Sequence, residues 1–218
     1  MEIDVLTDIL AANDAVAAAN RRRCDEAGVL VINLMSSPGS GKTTLLERTV
    51  RALGGRLRVG VIEGDIATSR DAERLAALGI PVVQINTGSA CHLDAPMVGA
   101  TLARFTLPEL DVLFVENVGN LVCPAEFDIG EHHKVMVLSV AEGDEKPLKY
   151  PAMFRVCSAL LINKIDLLPY TNFDLALATG YARQINPKLA ILPLSCTTGE
   201  GLAGWLSWIT DRAKNRRK

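Results

Sequence analysis

The sequence predicts an α/β domain with a mostly parallel sheet covered by helices on both faces. Three observations carry this: seven short apolar runs rich in β-branched residues, helical patterns alternating with them, and a 218-residue length sufficient for one sizeable core. The runs are residues 29–35, 57–62, 81–85, 112–115, 135–140, 157–162 and 189–194. Helical patterns fall near 43–53, 68–78, 95–105, 171–185 and 201–213. Continuous apolar strands, as opposed to alternating ones, mark a sheet buried on both faces. Ahead of the first run, Ile3, Leu6, Ile9 and Leu10 recur at helical spacing before an alanine-rich stretch, so residues 2–23 predict an amphipathic helix. The expected organisation is an N-terminal helical extension over 1–27 and one domain over 28–218, without repeat, low-complexity segment or interdomain linker.

Lys plus Arg is 23 and Asp plus Glu is 25, a net charge of −2, which supplies no electrostatic reason to expect nucleic acid as a partner. The basic run from Lys214 to Lys218 reads as a solvated helix end. A basic-then-apolar signal segment is missing, and no apolar run reaches the ~20 residues that span a bilayer, so neither export nor membrane insertion is expected. Five scattered cysteines in such a chain predict a reducing, cytoplasmic setting with free thiols, either buried or ligating metal.

Between the first run and the next helical pattern lies Ser36-Ser37-Pro38-Gly39-Ser40-Gly41-Lys42-Thr43, followed by Thr44. Small residues let backbone N–H groups turn inward around phosphate oxygens, and the helix N-terminus adds its positive dipole end. Lys42 is expected to reach the β- and γ-phosphates and the Thr43 hydroxyl to bind Mg²⁺. The motif's first glycine is Ser36 here.

Asn163-Lys164-Ile165-Asp166 follows the 157–162 run, at the sheet edge where ligands sit. The Asp166 carboxylate can accept both N1–H and N2–H₂ of guanine, whereas adenine would set a lone pair against it. The Lys164 stem is expected to cover the base and Asn163 to brace the loop, with Ser195-Cys196-Thr197 offering backbone donors to the base.

The 112–115 run ends in Glu116-Asn117-Val118-Gly119-Asn120. This resembles the Asp-x-x-Gly-Gln of many GTPases, with Glu116 organising Mg²⁺ through a water and the Gly119 N–H sensing the γ-phosphate. Asn120 is shorter than the glutamine that orients attacking water, which predicts slow intrinsic hydrolysis. Asp65 is open to two roles: the Mg²⁺ shell, and the N-cap of the helical segment that follows.

Cys91 and His92 stand side by side in a turn-forming segment, and Cys123 lies just beyond the 116–120 loop. Thiolate and imidazole suit Zn²⁺ and Ni²⁺. On residue types alone, two buried thiols and a surface histidine are the plainer assignment. Three ligands would also need a water or a second subunit to complete a tetrahedral site. His132 and His133 read as a polar segment entering a strand, Cys157 as core within its strand, and Cys24 and Cys196 carry no metal spacing.

Taken together, the stretches 36–44, 63–65, 87–93, 116–124 and Glu142-Gly143-Asp144-Glu145-Lys146-Pro147-Leu148-Lys149-Tyr150-Pro151 resemble the HypB family of hydrogenase nickel-incorporation GTPases over nearly the whole chain. The resemblance implies a metal-handling (SIMIBI-type) P-loop fold and a GTP-dependent homodimer inserting nickel into [NiFe] hydrogenase. It implies a metal site of Cys91, His92 and Cys123 near the dimer interface, and work with a HypA-type nickel chaperone and the hydrogenase large-subunit precursor. Residues 1–23 carry neither the cysteine-rich motif nor the histidine-rich stretch of some members, so only the switch-loop metal site is carried over.

Other readings compete. A urease accessory protein usually has Cys-Pro-His where Cys123-Pro124-Ala125 stands here. A nickel carrier whose nucleotide only fixes its shape would tolerate hydrolysis-dead Lys42 variants. An ATP-dependent kinase is opposed by Asp166. GTP is expected to outcompete ATP for the purified chain; equal competition by the two would remove the assigned role of Asp166.

Overall fold

The computed structural model describes residues 2–65 and 68–216, with side chains described from residue 10 onward. Ile3, Leu6, Ile9, Arg217 and Lys218, used in the sequence reading, lie outside the described side chains. The elements run α1 (Glu2–Glu26), β1 (Leu30–Ser36), α2 (Lys42–Leu53), β2 (Val59–Asp65), α3 (Arg70–Ala76), β3 (Val82–Asn86), α4 (Ala95–Leu102) and β4 (Val112–Glu116). They continue α5 (Cys123–Glu126), β5 (His133–Ser139), α6 (Lys146–Lys149), α7 (Pro151–Val156), β6 (Ala159–Asn163), α8 (Leu175–Ile185), β7 (Ala190–Pro193) and α9 (Leu202–Arg216).

Among the described residues the seven strands form one sheet in the order β3-β2-β4-β1-β5-β6-β7, every neighbouring pair parallel. Alternate strand residues feed two faces. Leu30, Ile32 and Leu34 of β1 pack with Leu45, Leu46, Leu75 and Trp205, under α2, α3 and α9. Val31, Leu113 and Val115 face the opposite way, under α1 and α4, with Met136, Leu138, Leu160 and Ile162 under α7 and α8. All seven apolar runs are strands, because a run buried on both faces has no other low-cost partner for its backbone.

Three short helices, α5, α6 and α7, have no counterpart in the sequence reading; each is six residues or fewer and carries proline at its start. Cys157 sits in the turn between α7 and β6 and not inside the strand, though still buried, where desolvation pushes its thiol up to about 12. The helix expected from 171 starts at Leu175, because the Asp174 carboxylate accepts the Ala176 and Leu177 N–H groups as an N-cap. His132 and His133 do enter a strand: His132 Nδ1 accepts the Val31 N–H at 2.8 Å, and His133 Nδ1 lies 3.0 Å from Ser158 Oγ.

α1 packs along α4 of its own chain. No helix among the described residues is long and apolar enough to cross a membrane.

Trp205 is fully buried, stacks on Trp208 at 5.4 Å between centroids and donates its indole N–H to Thr49 Oγ1 at 2.9 Å. Trp205→Ala is expected to lower unfolding free energy by about 3–5 kcal/mol in urea denaturation.

Candidate nucleotide pocket and metal centre

Parallel strands deliver their C-terminal loops to one edge, and there a cavity of about 480 Å³ opens among Gly39, Lys42, Thr43, Glu63, Asp65, Glu116, Gly119 and Lys164. A larger cavity, about 660 Å³, lies at the other end of the strands around Leu57, Ile80, Phe105 and Leu110. Its lining is mostly apolar with exposed arginines and no converging buried polar groups, so the chemistry is at the smaller one.

The phosphate loop is held from three sides. Asn163 Nδ2 donates to the Ser40 carbonyl at 2.9 Å and Lys164 Nζ to the Gly39 carbonyl at 2.8 Å. The Ser40 hydroxyl lies 2.6 Å from Glu142 Oε1. Gly41 has φ of 99°, and a Cβ there would come within 2.6 Å of Asn163 Nδ2, so a glycine is required twice over. Ser37 and Pro38 complete the turn, and Thr44 follows Thr43 in the first turn of α2. Lys42 is buried with its Nζ 2.9 Å from Ser36 Oγ. Burial lowers its pKa, opposed by the carboxylates of Glu116, Asp71, Glu63 and Glu142.

Thr43 Oγ1 donates to Glu116 Oε1 at 2.8 Å, which brings two predicted Mg²⁺ residues together. Register places Glu63 of β2 directly beside Glu116 of β4. Glu63 was not among the sequence candidates, although an acid inside an otherwise apolar buried strand was a readable signal. Glu63 Oε2 and Glu116 Oε2 are both buried without a hydrogen-bond partner among the described residues. Burial, then the Glu116, Asp65 and Asp71 carboxylates, pushes Glu63 up to about 8, and burial pushes Glu116 up to about 7. Such orphaned carboxylate oxygens beside a phosphate loop fit a divalent cation. Asp65 accepts from the Thr68 N–H at 3.1 Å and the Thr68 hydroxyl at 2.7 Å, capping the turn ahead of α3.

At the base end, Asn163 Oδ1 accepts the Lys164 and Cys196 N–H groups. Lys164 adopts φ of 65°, and Asp166 Oδ1 is buried without a hydrogen-bond partner among the described residues. The N–H groups of Ser195, Cys196 and Thr197 go to the Glu200 carbonyl, Asn163 Oδ1 and Ser195 Oγ. Without a base, two of these donors are spent within their own turn and the Cys196 N–H ties that turn to the 163–166 loop.

The third cluster lies at the surface. Cys91 Sγ is 2.9 Å from Cys123 Sγ and 3.7 Å from His92 Nδ1, and the three ligand atoms lie within 4.8 Å of one another. Both cysteines are free thiols. A hydrogen bond to Cys91 raises the Cys123 pKa, and burial lowers that of His92, which favours the neutral imidazole. The His92 ring packs on Phe127 with centroids 3.9 Å apart. Loop 116–120 grips this cluster: Asn117 Oδ1 accepts the Leu93 N–H at 3.1 Å, and Asn120 Nδ2 donates to the Cys91 carbonyl at 3.2 Å. Its oxygen accepts the Val122 N–H at 2.8 Å.

Fold and site together define a P-loop nucleotide-binding protein whose phosphate-facing loop abuts a thiol–imidazole cluster. The family described as "CobW/HypB/UreG, nucleotide-binding domain" matches residues 30–193. Hydrogenase maturation factor HypB of Azotobacter vinelandii is 55% identical over 210 residues, covering 96% of this chain and 69% of that protein. The crystal structure of hydrogenase maturation factor HypB from Archaeoglobus fulgidus matches with a TM-score of 0.89 at 38% identity, covering 94% of this chain and 100% of that one. HypB from Helicobacter pylori, solved in complex with nickel, matches with a TM-score of 0.88 at 38% identity, covering 94% and 96%. The chain belongs to the HypB group of the CobW/HypB/UreG family.

The folded state holds protons on Glu63 and Glu116 that the unfolded chain releases in the ordinary carboxylate range. Cation-free stability contributed by these groups therefore falls as pH rises, through about 7 for Glu116 and about 8 for Glu63. Glu63→Gln is expected to flatten the decline of the urea midpoint between about pH 5 and 8.5 and to weaken Mg²⁺ binding measured by calorimetry with GDP present.

Proposed function

We propose that this chain is a GTP-hydrolysing accessory protein that delivers nickel during [NiFe] hydrogenase maturation, with metal affinity at Cys91, His92 and Cys123 set by the nucleotide. The observation that carries the reading is Asn120. Its side chain ties the Cys91 carbonyl to the Val122 N–H, so one residue spans both halves of the thiol cluster. Gly119, next to it, lies so close on the phosphate loop that a Cβ would stand 2.9 Å from Pro38 N. A γ-phosphate contact at Gly119 is thus one residue from a contact that positions Cys91 and four from Cys123 itself.

Ser37 to Thr44 would cradle the phosphates, Lys42 neutralise the β- and γ-oxygens, and Asp166 select guanine. Thr43, Glu116, Asp65 and Glu63 would hold Mg²⁺, which supplies charge compensation for the phosphates. The Asn120 amide, engaged by the cysteine loop, is poorly free to orient water, which supports slow hydrolysis. Family membership and the nickel-bound Helicobacter pylori relative support nickel as the cargo; the same donors also suit Zn²⁺. The exposed cluster supports completion by a second copy in a GTP-dependent homodimer, with a HypA-type chaperone and the hydrogenase large-subunit precursor as cytoplasmic partners.

A ligand shifts a metal equilibrium only by its differential affinity for two states. Ni²⁺ titration followed by thiolate-to-metal charge transfer is expected to give different affinities with GDP and with a non-hydrolysable GTP analogue. The band is expected to vanish in Cys91→Ala and Cys123→Ala. Identical affinities in the two nucleotide states would end the coupling.

A further inference from the structure

The two halves of the thiol–imidazole cluster come from separate loops, Cys91-His92 ahead of α4 and Cys123 to Phe127 ahead of β5, and something must hold those loops in register. We infer that helix α1 does this, with Asn13 and Asn20 as positioning residues of the metal centre; this rests on the metal-binding reading above.

Asn13 Oδ1 accepts the Ala95 N–H at 2.9 Å while its Nδ2 donates to the Asp128 carbonyl at 2.8 Å. Asn20 Nδ2 donates to the Ala95 carbonyl at 2.8 Å and the Ile129 carbonyl at 3.2 Å. Ala95 is three residues past His92, and Asp128 directly follows Phe127, whose ring packs on His92. Two amides seven positions apart, about two helical turns, therefore bridge the same pair of loops. They grip Ala95 by both its N–H and its carbonyl.

The chemistry needs amides. Asn13 uses both ends of its carboxamide, as acceptor and donor, whereas Asn20 spends both N–H groups of its amide nitrogen on two carbonyls; each residue is 6% exposed, so a mismatched group would leave buried backbone polar atoms unpaired. The surroundings are cut to fit Asn20. A Cβ at Gly130 would stand 2.6 Å from Asn20 Cβ, and one at Gly99 2.7 Å from Asn20 Oδ1. Arg21, on the next residue of α1, locks Asp128 with its Nη2 2.7 Å from both carboxylate oxygens. Leucine at positions 13 and 20 would serve a merely packed helix; amides set the spacing of two loops, and with it the spacing of Cys91 and Cys123.

Ni²⁺ titration of the full chain with GDP bound tests this, with GDP affinity and thermal unfolding measured in parallel. Asn20→Ala and Asn13→Ala are each expected to weaken Ni²⁺ binding about tenfold, as loss of an outer-shell partner does, and to move the thiolate band. GDP affinity should stay at the parent value. Should Asn20→Ala fail to fold, Asn13→Ala stands alone, and Asn13→Asp, which keeps the acceptor for Ala95 but sets a carboxylate oxygen against the Asp128 carbonyl, should weaken Ni²⁺ binding at least as much. Parent-like affinity and band in the folded variants overturn the inference, as does metal and GDP affinity falling together with the folded fraction. A parent chain without a thiolate band overturns the metal-binding reading itself, and the inference with it.

Discussion

A buried ammonium among carboxylates organises the working edge of this protein. Lys42 lies under the phosphate loop with Glu116 and Glu63 in its electrostatic reach, and both acids are pushed toward their neutral forms by burial. A triphosphate would bring several negative charges into a cavity already lined by Glu63, Asp65, Asp71 and Glu116. Lys42, Arg74 and Lys164 face that excess from the same lining, but Arg74 is already paired with Glu47 and Asp71. Charge balance thus asks for nucleotide together with a divalent cation, and the sheet register that seats Glu63 beside Glu116 is what makes the request.

The same strand order converts that electrostatic centre into a mechanical one. β1 lies between β4 and β5, so the loop after β1 touches the loops after both. From β4 comes the 116–120 segment, pressed on Pro38 at Gly119 and holding the cysteine loop at Leu93 and Cys91 through Asn117 and Asn120. From β5 comes Glu142, whose Oε1 meets the Ser40 hydroxyl and the Ser139 N–H. A carboxylate so near a phosphate site is electrostatically unfavourable; its role is to fix the loop, with Lys146 Nζ 3.7 Å away to offset the charge.

Much of this was readable in the residues and the rest was not, for physical reasons. The strands announced themselves because a doubly buried strand must be apolar throughout, and the loops between them carried the phosphate and base motifs at the expected edge. Glu63 escaped because its partner Glu116 is 53 positions away and only the β2–β4 register unites them. Asn13 and Asn20 carry no signal within the helix's own sequence, since their partners lie 75 to 115 residues downstream. The short helices α5 to α7 have too few turns to show a period. The engaged donors of Ser195, Cys196 and Thr197 depend on where Asn163 and Glu200 fall in space, which spacing alone cannot say.

Where the thiols sit bears on what they are for. A structural metal site is closed, with four protein ligands and little solvent. Here three donors converge, Cys91 is exposed, and the imidazole is only partly covered by Phe127. On the proposed reading such a set leaves a coordination position for a second copy or a recipient protein to fill, so that metal would pass without first being released to water. Its donors come from two segments, both contacted by the 116–120 loop that packs on the phosphate loop at Pro38. Small changes in their separation would therefore alter affinity steeply, because each lost ligand costs far more than the motion that removes it. A cargo site benefits from that sensitivity, whereas a structural site would be harmed by it.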